Sequence, residues 1–228
     1  MEKAESWLSD TLGYRFNDRH LLRQALTHRS AHGPSNERLE FLGDAVLDFV
    51  VSEILYRSLP ESDEGDLSRL RASLVNDASL AGLAVEIGLG GHLLLGGGEK
   101  KSGGHRRESI LADALEALFG AVFLDSGIGA ASTMIERLFG ERLQEFPDAS
   151  ELRDPKTRLQ EWLQGRGLPL PDYQLVTVSG EAHKQRFEVQ CSAGDPRQQA
   201  GGEGSSRRNA EQQAARRMLD RLTGRESS

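Results

Sequence analysis

Residues 109–124, SILADALEALFGAVFL, are apolar or small throughout except at Asp113 and Glu116. Their spacing of three places both acids on one face of a helix, one turn apart. An ionised carboxylate that is taken out of water costs several kcal/mol unless another group compensates its charge. The pair therefore predicts a cation, a bound metal ion or a water-filled cleft beside a buried helix.

A second helix of the same character is predicted earlier in the chain, in residues 36–47, NERLEFLGDAVL. Its acids Glu37, Glu40 and Asp44 stand at i, i+3 and i+7 and form a single stripe at the helical period. Leu47 falls close to the same stripe. The pattern indicates a buried helix that carries a line of negative charge.

The composition bounds the class of protein. The 228 residues, 37% of them hydrophobic, suffice for one large or two small domains with a packed core. No uninterrupted apolar stretch reaches the ~20 residues of a membrane helix, and no secretory signal is evident at the start. The one cysteine, Cys191, excludes an internal disulfide and a cysteine-rich zinc site, and we expect it to be a half-buried strand residue. We expect a cytoplasmic protein without membrane association.

The net charge of −7 is unevenly distributed. From Arg153 to the end there are 13 basic and 10 acidic residues, whereas the rest of the chain has 15 and 25. An acidic catalytic part joined to a basic binding part explains this asymmetry, because affinity for phosphate needs only a local cationic patch.

The N-terminal part of the chain is predicted to be helical, with no convincing strand. Pro60 ends the acid-bearing helix, and the acidic turn at residues 61–66 can cap the next one. The glycine-rich residues 88–104 predict a mobile loop. Besides the hydrophobic helix, the predicted helices are residues 18–26, 36–58, 67–87 and 128–144.

The C-terminal part has a different pattern. Asp154 and Pro155 begin a helix, and residues 173–179 and 185–191 are strand-like. A third strand near residues 196–201 should be short or frayed, because it has almost no apolar or β-branched residue. A last helix runs from about Ser206 to Leu222. The fold class is thus an all-α N-terminal domain plus a small α+β domain of order α-β-β-β-α.

Four motifs resemble those of bacterial ribonuclease III. Three of these motifs are acidic. The tail, residues 154–222, resembles a double-stranded RNA-binding domain, and GEGSSRR at residues 202–208 resembles the loop-to-helix motif of that domain. The resemblance covers nearly the whole chain. The four motifs are ALTHRS at residues 25–30, ERLEFLGD at 37–44, DEGD at 63–66 and ESILADALEAL at 108–118.

The resemblance implies a role for each acid. Four carboxylates would hold Mg²⁺, for which Mn²⁺ would substitute, and no organic cofactor is implied. Asp44 and Glu116 would be indispensable, and Glu37 and Glu64 would be accessory acids that place substrate or water. A hard cation held by carboxylate oxygens suits phosphodiester hydrolysis, because it polarises a phosphoryl oxygen and lowers the pKa of bound water. The implied metal ligands are Glu40, Asp44, Asp113 and Glu116.

The resemblance also implies an assembly and a substrate. A homodimer would line one valley with two sites, cut opposite strands of double-stranded RNA and leave short 3′ overhangs, with Phe41 packed against the partner subunit. Processing of ribosomal RNA precursors, messenger RNA and other structured transcripts is the expected task. The implied boundaries are a catalytic domain at residues 1–146, a linker at 147–153 and the RNA-binding domain at 154–223.

Several polar residues of the tail are candidate RNA contacts. Thr157, Gln160 and Gln164 stand at i, i+3 and i+7, a stripe suited to ribose 2′-hydroxyls in an A-form minor groove. His183 lies in the loop where the family makes a second minor-groove contact. Ser206, Arg207 and Arg208 open the last helix, where cations and free backbone N–H groups favour phosphate binding. Asn209 and Glu211 stand where many such domains carry further basic residues.

Other interpretations remain open from the sequence. The acids could form a solvated helix face or pair with nearby arginines, and Arg106 and Arg107 could be a plain helix start or phosphate contacts. A non-catalytic RNA-binding protein on the same fold is the main alternative function, although all six acids are present. A di-iron helical protein would need Glu-x-x-His pairs, which neither Glu40 nor Glu116 provides.

Overall fold

The chain divides into two compact units in a computed structural model, Met1–Ala149 and Ser150–Ser228. We call them the helical unit and the tail unit. The structure describes residues 1–143, 146, 153–181 and 184–224. The proposed linker, residues 147–153, lies outside the described residues except for Arg153.

The helical unit confirms the prediction of an all-helical N-terminal domain. Within its described residues the only β pairing is an isolated bridge between Thr27 and Leu94. The 3₁₀ turns are Leu89–His92, Gly104–Arg106 and Gly140–Leu143. The helices are α1 (Glu2–Leu12), α2 (Arg19–Ala25), α3 (Glu37–Ser58), α4 (Glu64–Leu74), α5 (Asp77–Glu86), α6 (Gly97–Lys101) and α7 (Glu108–Phe139).

Helix α7 is the centre of the helical unit. Its length and apolar composition would suit a membrane span, yet Leu115, Leu118 and Phe119 are fully buried against the surrounding helices, chiefly α3 and α5. The backbone leaves the helical conformation at Gly127, with φ 77° and ψ −178°. Only glycine adopts such a φ readily, so the predicted separation of two helices before residue 128 appears as a kink.

Two glycines bring α3 and α7 into backbone contact. A Cβ atom on Gly43 would overlap the carbonyl oxygen of Glu116, and one on Gly120 would overlap that of Leu39. A larger residue at either position would therefore push the helices apart. This contact joins the acid-bearing turn of α3 to that of α7.

The single helix predicted at residues 67–87 is wrong, because the chain forms α4 and α5 with a break between them. Asn76 accounts for the break: its Oδ1 accepts a hydrogen bond from the Ser79 amide at 2.9 Å and so caps α5. Its Nδ2 donates to the Ser73 carbonyl at 2.8 Å. One side chain thus satisfies backbone groups of both helix ends.

The glycine-rich residues 88–104 are not an open loop. They contain α6 and a 3₁₀ turn, and Gly96 lies so close to Ser30 that a Cβ atom would overlap its carbonyl oxygen. The Gly96 amide donates to Ser30 Oγ at 3.0 Å. The glycines here allow close packing rather than only a flexible connection.

The tail unit confirms the order α-β-β-β-α. Its three strands form an antiparallel sheet in chain order. The last helix packs on the second and third strands, and the first helix packs against the last one. Leu159, Leu163 and Met218 form the core with Cys191, which is fully buried rather than half-buried as predicted. The elements are α8 (Pro155–Gln164), β1 (Asp172–Ser179), β2 (Arg186–Ala193), β3 (Gln198–Gly204) and α9 (Arg207–Thr223).

The prediction of a short or frayed third strand is wrong. All seven residues of β3 pair with β2, from Gln198 to Gly204. A Cβ atom on Gly202 would overlap the backbone of Ala210 and Ala214 in α9. The strand is therefore stabilised by its ladder and by a close helix, and the missing side chains are what permits that approach.

Candidate active site and RNA-binding surface

Four carboxylates gather where α3 meets α7. Glu40, Asp113 and Glu116 are half-buried, and Asp44 is more exposed. The pKa of Glu116 is raised to about 8, first by burial and then by the negative charges of Asp44, Glu40 and Asp113. The structure therefore brings together the four acids that the two sequence stripes contributed.

Burial and then neighbouring negative charges also raise the pKa values of the other members of this acidic cluster. Burial and then Asp113 raise the pKa of Glu40, while burial and then Asp77 raise that of Asp113. Among the described residues, no group of three acidic, histidine or cysteine side chains lies close enough together to hold a metal ion. Mutually repelling carboxylate oxygens are nevertheless the donor set that a hard divalent cation requires, so the residues fit such an ion.

A cleft of about 460 Å³ adjoins the cluster. Glu37, Glu40 and Asp113 form part of its wall, and Arg29 and Arg107 add positive charge to it. Arg29 lies 3.8 Å from Glu37. The cleft thus combines oxygen donors with cations, as a site for a phosphate ester and a metal ion would.

The two predicted accessory acids differ in position. Glu37 is exposed, lines the cleft and accepts a hydrogen bond from Ser35 Oγ at 2.9 Å. Glu64 is the first residue of α4 and accepts from Ser68 Oγ at 2.9 Å. Glu64 is not among the described residues that line the cleft, and its charge is not among those that raise the pKa of Glu40, Asp113 or Glu116.

Three residues at this site were missed by sequence reasoning. Arg29 belongs to the ALTHRS motif, which could have suggested it, and its positive charge partly offsets the rise in the pKa of Glu40. Asp77 follows a helix cap, and such acids usually serve only the helix dipole. Glu99 binds Arg107 at 3.0 Å and holds that cation at the cleft, which a glycine-rich sequence does not reveal.

Phe41 lies on the surface of α3. Its side chain is 79% exposed, and two further aromatic residues of the helix, Phe49 and Tyr56, are 58% and 74% exposed. A groove of about 400 Å³ between α3 and α4 is lined by Phe49, Tyr56 and Leu67. Phe41 is therefore not a core residue of a single helical unit.

The tail unit exposes most of the candidate RNA contacts. Thr157, Gln160 and Gln164 are exposed along α8, and Arg207 and Arg208 are exposed at the start of α9.

Two other candidates of the tail have different outcomes. Ser206 caps α9, since its Oγ accepts from the Asn209 amide at 3.2 Å. His183 lies outside the described residues.

Comparisons with known proteins agree for both units. The family model described as "Ribonuclease-III-like" matches residues 18–143, and the model described as "Double-stranded RNA binding motif" matches residues 155–222. A protein named Ribonuclease 3 from Alkalilimnicola ehrlichii is 56% identical over 222 residues, covering 97% of each chain. One of the same name from Methylococcus capsulatus is 56% identical over 223 residues, covering 98% of this chain and 97% of its own.

A solved structure supports the same assignment for the helical unit. The nuclease domain of ribonuclease III from Campylobacter jejuni superimposes with a TM-score of 0.59 and 46% identity, covering 61% of this chain and 98% of its own. Its description mentions a region involved in dimer formation. Two family models in the expected order, and close relatives over almost the full length, leave one conclusion: this chain belongs to the ribonuclease III family.

Proposed function

We propose that this chain is a Mg²⁺-dependent endoribonuclease that hydrolyses double-stranded RNA. Its family is generally metal-dependent, and its second domain belongs to a class that binds double-stranded RNA. The observation that carries the proposal is the acidic cluster around Glu116, whose pKa of about 8 reflects burial beside three other carboxylates. Such a cluster is costly without a cation, so its presence favours a metal-dependent activity.

Glu40, Asp44, Asp113 and Glu116 would hold the ion, which when bound lowers the pKa of water and polarises a phosphoryl oxygen. Mn²⁺ would serve in place of Mg²⁺. Glu116 must lose its proton to act as a ligand.

The cleft residues would place the substrate. Arg29 and Arg107 would bind backbone phosphates, while Glu37 and Glu64 would help to place substrate or water. The position of Glu37 supports this role better than that of Glu64, because Glu37 lines the cleft and Glu64 does not.

The tail unit would provide affinity by reading the shape of the duplex. Its exposed α8 stripe suits ribose 2′-hydroxyls, and Arg207 and Arg208 suit phosphates at a helix N-terminus. His183 and Ser206 are proposed as further contacts. Because this kind of recognition depends on backbone geometry, sequence preference should be slight.

A homodimer would place two active sites along one valley, so that both strands are cut and short 3′ overhangs remain. The exposed aromatic side chains of Phe41, Phe49 and Tyr56 support a protein contact on α3, because such residues are enriched at interfaces. The dimer-forming region named for the Campylobacter jejuni relative supports the same assembly. We propose Phe41 as an interface residue.

We propose that ribosomal RNA precursors, messenger RNA and other structured transcripts are the substrates, in the cytoplasm. No membrane partner and no organic cofactor are proposed. The domain boundaries that we propose are residues 1–146 and 154–223, with a linker between them.

Incubation of the chain with a radiolabelled RNA duplex tests the activity directly. We expect paired cuts in Mg²⁺, none in a chelator, and binding without turnover in Ca²⁺, whose looser coordination places water poorly. DNA duplex and single-stranded RNA of the same sequence are the controls. Binding without cleavage in Mg²⁺ would favour the non-catalytic alternative instead.

A further inference from the structure

Glu211 bridges two cations of the tail unit. Its Oε1 lies 2.9 Å from Arg207 Nε, and its Oε2 lies 2.6 Å from Lys156 Nζ. The Glu211 side chain is only 13% exposed, whereas that of Arg207 is 59% exposed. The pKa of Glu211 is lowered, first by its bond to Lys156, so the carboxylate is charged at neutral pH.

The Lys156 end of this bridge is fixed to α8. Its ammonium group also lies 4.6 Å from the centroid of the Tyr173 ring. Beside it, Gln212 Nε2 donates to Asp154 Oδ2 at 2.5 Å and ties the start of α8 to α9 a second time. Lys156 therefore acts as an anchor for Glu211 rather than as a free phosphate ligand.

The ion pair with Glu211 leaves N–H donors of the Arg207 guanidinium available for a phosphate. The bond to Glu211 uses Nε, and a guanidinium has two terminal amino groups that can bind a phosphate bidentately. A long side chain that is already held in place loses less conformational freedom when it binds. The neighbouring Arg208 is also exposed, and none of the ion pairs found in the described part of the chain involves it. It therefore offers a matched comparison.

We propose that Glu211 is a positioning residue for RNA binding, which holds the Arg207 guanidinium toward phosphate from an anchor on Lys156. The inference rests on the proposed binding of RNA by the tail unit. By its charge alone, an acid at this position, where many such domains carry a basic residue, would weaken phosphate binding, and the proposal assigns it the opposite effect. The role requires the reach of the glutamate side chain and an oxygen that accepts from Arg207, rather than the negative charge itself.

Duplex affinity in the full chain, combined with substitutions, tests the proposal. Glu211→Asp keeps the charge but is too short to bridge both cations, and we expect it to weaken binding of an RNA duplex by about threefold to tenfold. The same change should cost as much in an Arg208→Ala background and nothing further in an Arg207→Ala background. Glu211→Gln keeps the length of the side chain and an acceptor for Arg207. We expect this variant to bind the duplex within about twofold of the unsubstituted chain.

A measurement without RNA separates this inference from the proposed function. The ¹⁵N–¹H signal of Arg207 Nε, identified by its loss in Arg207→Ala, should report a rigid group that becomes mobile in Glu211→Asp. Equal losses in all backgrounds, a Gln variant as weak as the Asp variant, or an already mobile Arg207 would each overturn the positioning role. An Arg207→Ala protein with unchanged affinity would instead remove Arg207 from the RNA contacts, and the inference with it.

Discussion

Glu116 is the residue on which the proposed chemistry depends most, because it couples to every other member of the acidic cluster. We expect Glu116→Ala to abolish duplex cleavage while binding of the duplex and folding stay nearly intact, since the proposed metal ligand is lost and a costly charge is removed with it. Cleavage and filter-binding assays on the purified variant measure both effects. Substantial Mg²⁺-dependent cleavage by Glu116→Ala would remove this glutamate from the site.

The raised pKa of Glu116 also has a consequence for stability in the metal-free protein. The pKa rises from an ordinary 4.5 to about 8, so the folded state holds a proton that the unfolded state has already released in this interval. Its effect on stability is therefore absent below about pH 4.5 and becomes increasingly unfavourable as the pH rises to 8. Above that value both states are ionised and the full cost remains.

We accordingly expect Glu116→Gln to melt at a higher temperature than the unsubstituted chain at pH 9, and the difference to shrink toward pH 5. Thermal unfolding in a chelator at both pH values measures this. Glu108→Gln, at an exposed position on the same helix, is the control and should change neither melting temperature much. A Glu116→Gln advantage that does not vary with pH would contradict the assigned cause.

At the scale of elements, the contact between α3 and α7 positions the acidic cluster. We expect Gly43→Ala to destabilise the helical unit by about 1–3 kcal/mol or more, because its Cβ atom would overlap the backbone of Glu116 and separate the helices. Gly82→Ala in α5 has open space around it and should stabilise by about 0.5–1 kcal/mol through helix propensity. Chemical denaturation of the two variants measures the contrast. A Gly43→Ala protein as stable as Gly82→Ala would show that the helices yield without cost.

The sequence predicted these elements where its signals were local. Asp113 and Glu116 stand out because an apolar helix surrounds them, and the same spacing argument on α3 places Glu40 beside Asp44. Asp77 was not predicted because its effect on Asp113 depends on how α5 packs against α7. Proximity of that kind arises from the tertiary fold and has no periodic signature.

In the tail unit, the glycines of β3 led to the wrong prediction of a short or frayed strand. The strand β3 has little β propensity, yet Gly202 is needed because α9 passes where a side chain would stand. Propensity describes a side chain on a half-buried surface, and it fails where backbone contacts replace side chains. The break at Asn76 is similar, since the same residue type suits a helix interior poorly and a cap well.

At the scale of the whole molecule, Phe41 tests the proposed assembly. We expect Phe41→Ala to shift the chain toward monomer in analytical ultracentrifugation and to lose paired cuts, because a 79% exposed phenylalanine in one protomer would be buried by a partner. Leu124→Ala, at another exposed apolar position of the helical unit, is the control and should leave the assembly unchanged. A fully dimeric Phe41→Ala protein would place the interface elsewhere.

The proposed roles of the two units predict how salt affects binding of the duplex. A chain that ends at Ser150 keeps the complete core of the helical unit, and a relative's nuclease domain alone forms the same fold, so we expect the truncated chain to fold and to cut at low salt. Affinity should fall steeply as salt rises in the full chain, because bound cations release counterions from the duplex.

Without the tail unit that dependence should become shallower, since Arg207 and Arg208 no longer contribute. Arg207→Ala/Arg208→Ala should lower the magnitude of the log–log slope by about one to two units, in part reproducing the truncation. Duplex affinity against KCl concentration is the measurement, with Arg216→Ala, farther along α9, as the control. Equal slopes in the full, truncated and doubly substituted chains would mean that the phosphate contacts lie in the helical unit, where Arg29 and Arg107 line the acidic cleft.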